Sequence, residues 1–242
     1  NKVCFFNFKA SHDGIGLRPV KGILSDEDIE YMITTVQEHG GLVSYRAEED
    51  GSQSPYEINC SYIDALTHPD EEDVVRLKRM LLSQATVLVM PGVPGIYFHS
   101  LVGSRNYHDG VKHTGINRAI NREKYNIDWL ENELSTQGTL AKTMLDSYKR
   151  LISIRNSEKA FNPFGRFRFY DLDKRLFVVD QSCCEDKEYV LALHNFSDES
   201  VTVKIPGEFN LPLKDLLSTY SVDTAKEITL EPYQMMWLKG EH

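Results

Sequence analysis

Twice within the first 157 residues a short apolar run gives way to a long polar loop and then to an amphipathic helix. That order constrains the fold more than any other feature. It belongs to α/β units, whose ligands gather on the loops that leave the C-terminal ends of parallel strands. The run Val3-Cys4-Phe5-Phe6-Asn7-Phe8 reads as a buried strand and ends in the polar, glycine-rich stretch Ser11-His12-Asp13-Gly14-Ile15-Gly16. A helix is predicted over about 25–39, with Ser25 as N-cap, Asp28 three residues on, and Ile29, Met32, Ile33 and Val36 on one face. Residues 41–69 lack clear periodicity and read as a long loop. A second helix starts near Asp70, with Val74, Leu77, Leu81, Leu82 and Ala85 along a stripe. It leads to the breaker Pro91-Gly92-Val93-Pro94-Gly95 and a short buried strand, Ile96-Tyr97-Phe98. A polar loop over 103–126 and a long amphipathic helix at about 138–156 complete this part.

From about residue 160 the texture changes to successive short strands separated by turn formers. Arg166–Tyr170, Leu176–Val179, Tyr189–Leu193, Val201–Ile205, Ile228–Leu230 and Met235–Leu238 make an antiparallel module of about 80 residues. The fold class is therefore α/β plus all-β, divided at 1–157 and 158–242. Two strand–helix units are too few for a closed parallel barrel, which takes eight, and an open pair of strands would leave its edges bare. Residues 1–157 thus read as a piece of something larger. The chain begins with Asn1 rather than Met, which leaves a processed or cut start open.

Composition removes several function classes. The chain has 242 residues, 36 acidic against 27 basic, and a formal net charge of −9, which argues against a dedicated nucleic-acid or anionic-membrane surface. No stretch approaches the roughly 20 continuous apolar residues that span a bilayer. Cys4, Cys60, Cys183 and Cys184 form no CxxC pair and read as reduced thiols of a cytoplasmic protein. The eight histidines show no metal-ligand spacing, and no phosphate-cradling glycine motif occurs, so neither a metal nor a cofactor is expected.

The strongest chemical candidate is His12-Asp13, at the end of the first strand. A carboxylate there can stabilise a cationic, oxocarbenium-like centre while an imidazole donates to a hydroxyl. The alternative is that Asp13 merely caps a turn before Gly14. Residues 104–123 carry Arg105, Lys112, His113, Arg118 and Arg122 among small and amide side chains. This composition suits an anion or polyhydroxyl site, because guanidinium groups grip such ligands in bidentate fashion, although a solvated basic loop would look the same. Tyr56-Glu57 lies in the other long loop, where an ordinary surface turn is the alternative.

Phe8-Lys9-Ala10-Ser11-His12-Asp13-Gly14-Ile15-Gly16 resembles the His-Asp motif at the end of the seventh barrel strand of α-amylase-type glycoside hydrolases, in the form found in sucrose phosphorylases and their relatives. Pro91–Tyr97 resembles the eighth strand of that superfamily. Ser54–Asn59 and Thr114–Arg122 resemble two active-site loops of the sucrose-phosphorylase branch. The ordered set covers most of 1–157, and the terminal β module is similar to the small domain that ends these enzymes.

The resemblance implies the C-terminal part of a (β/α)8-barrel enzyme: its last two strand–helix units and the β domain. The implied activity is a retaining α-glucosyl phosphorylase, which transfers glucose from an α-glucoside to inorganic phosphate and calls on no metal or organic cofactor. The nucleophilic Asp and acid/base Glu of the family have no counterpart here and would lie on the N-terminal barrel half of the same protein. This chain alone is then expected to be inactive. By the same match, Asp13 is the third catalytic carboxylate and His12 binds the same glucosyl unit. Arg118, with Arg122 as its rival, serves the glucosyl or phosphate site, and Tyr56 and Glu57 shape the acceptor site. Glu57 stands where the family carries an amide. That departure points to an anionic-acceptor branch acting on sucrose 6-phosphate or glucosylglycerate, with Lys112 and His113 as further anion contacts. An α-glucosidase or transglucosidase of the same superfamily, and a non-catalytic carbohydrate- or partner-binding module, are the alternatives. The oligomeric state stays open, a homo-oligomer included.

Overall fold

The structure, a computed structural model, describes residues 3–183, 188–209 and 212–241; Cys184 and His242 lie outside them. In chain order the first elements are β1 (Phe6–Asn7), β2 (Ile15–Gly16), α1 (Asp26–Glu38), β3 (Leu42–Ala47), β4 (Gln53–Asn59), α2 (Tyr62–Leu66) and α3 (Asp73–Val89). They are followed by β5 (Val93–Pro94), α4 (Phe98–Val102), α5 (His108–Thr114), α6 (Ile127–Ser135) and α7 (Leu140–Ser157). The strands β6 (Arg166–Phe169), β7 (Leu176–Ser182), β8 (Glu188–Asn195), β9 (Val201–Lys204), β10 (Leu213–Asp215), β11 (Ser221–Val222), β12 (Glu227–Leu230) and β13 (Met235–Glu241) complete it. By internal packing the chain divides into two units interleaved in sequence: Lys9–Leu77 with Ile96–Asp146, and the residues up to Phe8 with Lys78–Gly95 and everything from Ser147. No helix among the described residues is long and apolar enough to cross a membrane.

In the first unit, α1 forms as its sequence predicts. Ser25 accepts from the Asp28 amide at 3.1 Å and the Asp28 carboxylate accepts from the Ser25 amide at 3.2 Å, closing a capping box. Ile29, Ile33 and Val36 are buried and pack with Leu17, Ile58 and Cys60. Burial and the nearby Asp64 push the Cys60 thiol up to about 12, so it stays a neutral core group.

Residues 41–69 are not a loop. They fold into the hairpin β3–β4 followed by α2, and β2 pairs with the free side of β4 to give a three-stranded antiparallel sheet in the order β2-β4-β3. Two features hide this hairpin from a reading by alternation. A bulge between Ser44 and Tyr45 shifts the register, and Pro55 sits inside β4 opposite Tyr45.

In the second unit, β1 and β5 pair in parallel, Phe6 with Val93 and Asn7 with Pro94. The predicted strand at Ile96–Phe98 is thus displaced to Val93–Pro94. The Gly95 amide makes the last ladder bond, to Asn7 O at 2.7 Å, and the chain turns helical at Phe98. Gly92 permits the pairing: it has φ +121°, and a Cβ there would come within 2.4 Å of the Phe5 carbonyl. The β1 run is apolar as predicted but not buried, since Phe6 is 66% exposed and Phe5 and Phe8 more than half exposed.

The C-terminal strands form a six-stranded sheet in the order β11-β10-β13-β8-β7-β6, with β12-β9 as a separate pair. Alternation on β8, β9 and β12 turns Tyr189, Leu191, Leu193, Val201, Val203, Ile228 and Leu230 into one core. The strands β10 and β11 are three and two residues long, too short for any periodicity to announce them. On β13 the fully buried Trp237 stacks edge-on against Phe161, with ring centroids 5.4 Å apart, and donates its indole N–H to His194 Nε2 at 3.1 Å. Trp237→Ala empties this space and orphans the His194 acceptor. We expect a loss of about 3–5 kcal/mol, read as a lowered denaturation midpoint of the protein carrying this chain.

Candidate functional site

The candidate site is assembled in the first unit by three segments that are distant in sequence: the turn Ser11–Gly14, strand β4, and the 3₁₀ turn Asn117–Asn121 with Arg122. The C-terminal half of β4 is buried on both faces and leaves Glu57 5% exposed, and a buried carboxylate must be neutralised or paired. Arg118 pairs with it in fork geometry: Nε donates to Oε1 at 2.8 Å and Nη2 to Oε2 at 2.5 Å. The third arm, Nη1, lies 3.0 Å from Asp13 Oδ1. One guanidinium therefore joins a buried and a half-exposed carboxylate.

Arg122 takes the other side of Asp13. Its Nη2 donates to Oδ1 at 3.1 Å and its Nε to the His12 carbonyl at 2.6 Å. His12 itself is exposed, with Nε2 3.6 Å from Asp13 Oδ2. Asp13 thus receives both arginines at one oxygen and leaves the other facing the imidazole and solvent. Its turn is fixed by the Asp13 amide donating to Ser11 Oγ at 3.1 Å. Asn121 reaches the Ser11 carbonyl from the opposite segment at 2.8 Å.

Behind Glu57 stands a set of amides and hydroxyls. Asn59 Nδ2 donates to Glu57 Oε1 at 2.5 Å, Ser44 Oγ to Asn59 Oδ1 at 2.6 Å, and Asn117 Nδ2 to Ser44 Oγ at 3.1 Å. The Gly14 amide adds a bond to Glu57 Oε1 at 3.3 Å. Gly14 is needed here for space: a Cβ would sit 2.4 Å from the Ile58 carbonyl and 2.6 Å from both Glu57 and Asn59. The Arg118 fork is the main cause that holds the Glu57 carboxyl below the usual glutamate range, helped by Asn59 and Gly14 and opposed by burial. Glu57 in turn raises Arg118.

Of the residues named from sequence, the structure brings together His12, Asp13, Glu57, Arg118 and Arg122. Tyr56, next to Glu57 on β4, contributes to the electrostatics of Arg118, and its carbonyl accepts from the Leu17 amide at 2.9 Å. Lys112 and His113 stand on α5 and are tied there, Lys112 to the Asp109 carboxylate at 3.0 Å and His113 to the Asp109 carbonyl at 2.6 Å. Arg105 is a scaffold residue, paired with the buried Asp64, whose other oxygen accepts from the Asn106 amide at 2.6 Å. Sequence reasoning missed Ser44 and Asn59. Recognition of the β3–β4 hairpin was the signal needed, because pairing places Leu42 opposite Asn59 and Ser44 opposite Glu57.

The chain is 39% identical over 235 residues to a glucosylglycerate phosphorylase of Escherichia coli (strain K12), which covers 97% of this chain and 41% of that protein. It is 35% identical over 249 residues to a glucosylglycerate phosphorylase of Spirochaeta thermophila, covering 98% of this chain and 42% of that one. This chain is related to the glucosylglycerate and sucrose phosphorylases. A sucrose phosphorylase of Streptococcus mutans is more distant, at 26% identity over 195 residues, 80% of this chain and 38% of that protein. Among solved structures, sucrose 6F-phosphate phosphorylase from Thermoanaerobacter thermosaccharolyticum shares the fold, with a TM-score of 0.67, 22% identity, and coverage of 93% of this chain and 41% of that one. No family model matches. The chain spans about two fifths of the length of the curated relatives it matches.

The Glu57–Arg118 pair also sets a pH dependence. The Glu57 pKa is lower in the folded state than in the unfolded one, so its stabilisation is fully present above the ordinary value of about 4.3. It is lost as pH falls through the lower folded value. Glu57→Gln is expected to flatten the acid limb of a stability-versus-pH curve below about pH 4.3, measured by denaturant titration across that range.

Proposed function

We propose that this chain is the C-terminal portion of an α-glucoside phosphorylase that takes glucose from a glucoside with an anionic aglycone and passes it to inorganic phosphate. The observation that carries this reading is the bridge by which Arg118 joins the half-exposed Asp13 to the buried Glu57, beside His12 and Arg122. The similarity of nearly the whole chain to glucosylglycerate phosphorylases supports it.

In this reading 1–157 closes a (β/α)8 barrel and 158–242 is the small β domain. The N-terminal barrel half supplies the nucleophilic carboxylate and the acid/base. The nucleophile attacks the anomeric carbon as the acid protonates the leaving oxygen, giving a β-glucosyl-enzyme. A phosphate oxygen then displaces the enzyme carboxylate, giving α-glucose 1-phosphate with net retention. Asp13 accepts bonds from glucosyl hydroxyls and opposes the positive charge that develops on the ring in each step, and His12 donates to the same sugar. Arg118 and Arg122 hold Asp13 in place. With Glu57 neutralised by Arg118, the repulsion that a lone glutamate would exert on an anionic acceptor is removed, and guanidinium N–H groups of Arg122 beyond those given to Asp13 and the His12 carbonyl can donate to a carboxylate or phosphate there. Isolated from the barrel half, the chain is inactive. The enzyme is cytoplasmic.

The test is phosphorolysis by the product of the full reading frame that contains this chain. The panel comprises glucosylglycerate, sucrose 6-phosphate and sucrose, each with phosphate, and release of glucose 1-phosphate is followed. Turnover of the anionic glucosides is expected to exceed that of sucrose; hydrolysis to free glucose without dependence on phosphate would overturn the reading. In the same protein Asp13→Asn is expected to lower kcat by about a hundredfold or more with the fold intact by circular dichroism. Near-normal turnover would remove Asp13 from the reaction. Run in the synthetic direction from glucose 1-phosphate, Glu57→Gln is expected to change the ratio of kcat/KM for glycerate and fructose more than it changes kcat with either.

A further inference from the structure

Between α4 and α7 the first unit carries a hollow of about 310 Å³, at the small end of the range for small-molecule sites. Its wall is an aromatic pair: Tyr125 and Trp129 stack with centroids 5.0 Å apart and planes 21° from parallel. Tyr125 covers one face of the indole, and Trp129 is still 49% exposed. A large aromatic in water on a helix whose Leu130 is buried is not explained by packing. The rim is polar. Glu123, Glu133, Arg105 and Ser104 line the same hollow. Ser104 and Glu123 stand beside the Tyr125 phenol, which burial pushes up to about 12.

A flat, preorganised aromatic face bordered by two carboxylates and a guanidinium suits one class of small molecule. A pyranose ring offers a face of weakly polarised C–H groups to the negative face of an aromatic ring, and a circumference of hydroxyls that donate to carboxylates and accept from guanidinium. An apolar ligand would waste the rim, and a small anion would meet two like charges. We propose that the Tyr125–Trp129 platform is a second sugar-binding site, taking one glucopyranosyl unit against Trp129 with its hydroxyls toward Glu123, Glu133 and Arg105. It does not depend on the phosphorylase reading, since neither aromatic touches Asp13, Glu57 or the two arginines that hold them in any bond described above.

The test uses the full-length protein, with maltotriose as the probe, in the wild type and in Trp129→Ala and Trp129→Phe. Isothermal titration measures binding, and phosphorolysis of a short glucoside is run alongside. One class of maltotriose site is expected to weaken at least about tenfold in Trp129→Ala, equivalent to about 1.4 kcal/mol. It should be largely retained in Trp129→Phe, while phosphorolysis stays within about twofold in both. Identical isotherms in wild type and Trp129→Ala would overturn the proposal. So would a parallel loss of binding and turnover, which would make Trp129 part of the reaction site instead. Iodide quenching provides an independent check: if the wild type loses no quenchable emission on going to Trp129→Phe, another part of the protein covers the indole and there is no open platform.

Discussion

The candidate site hangs on one electrostatic necessity: Glu57 is a carboxylate folded into a nearly dry position on the middle strand of a small sheet. An ion so placed costs several kcal/mol unless a counter-charge and hydrogen bonds restore what water supplied. Arg118 provides the counter-charge in two parallel bonds, and Asn59 and the Gly14 amide occupy the remaining acceptor capacity of Oε1. Satisfying Glu57 therefore pulls three segments together. The 3₁₀ turn comes in through Arg118, the Ser11–Gly14 turn comes in because Gly14 has no Cβ to hold it off, and β3 joins through Ser44.

Exposure rises along this network from its root outward. Glu57 is buried, Arg118 and Asp13 are partly open, and His12 is mostly in solvent. The buried end makes the geometry rigid, and the open end leaves groups that a ligand can reach. Such an arrangement holds charge ready before a ligand arrives, so little reorganisation remains at the moment of binding. The second arginine adds to this. Arg122 fastens both the Asp13 carboxylate and the backbone of His12, so the His-Asp pair moves as one piece with the loop that carries the arginines.

Much of the local structure was legible in the sequence because it is locally encoded. Ser25 and Asp28 close the α1 capping box through atoms three residues apart, and the β8 and β13 strands announce themselves as short apolar runs between turn formers. The failures share a cause. The β3–β4 hairpin is masked by Pro55 and a bulge, and the parallel strand near Pro91 is placed by its ladder to Phe5 and Asn7 rather than by its own hydrophobicity. In the site, the charged residues stood out by type and motif, while Ser44 and Asn59 did not. Amides and hydroxyls are common in turns, and only their partners give them a role.

The sequence by itself determined the course of α1, α3 and α7 and which runs are apolar, and it carries His12-Asp13 and the Arg118 segment in an order that resembles that of known phosphorylases. Tertiary structure alone decided which charges meet. From composition Arg105, Lys112, His113, Arg118 and Arg122 were equal members of one basic loop. Folding ties Arg105 to Asp64, holds Lys112 and His113 against Asp109, and turns Arg118 and Arg122 onto Asp13. The reason is that ion pairing at 3 Å depends on positions set by distant backbone contacts. No local pattern in the chain encodes the absence of a methyl group at Gly14 as room for Glu57.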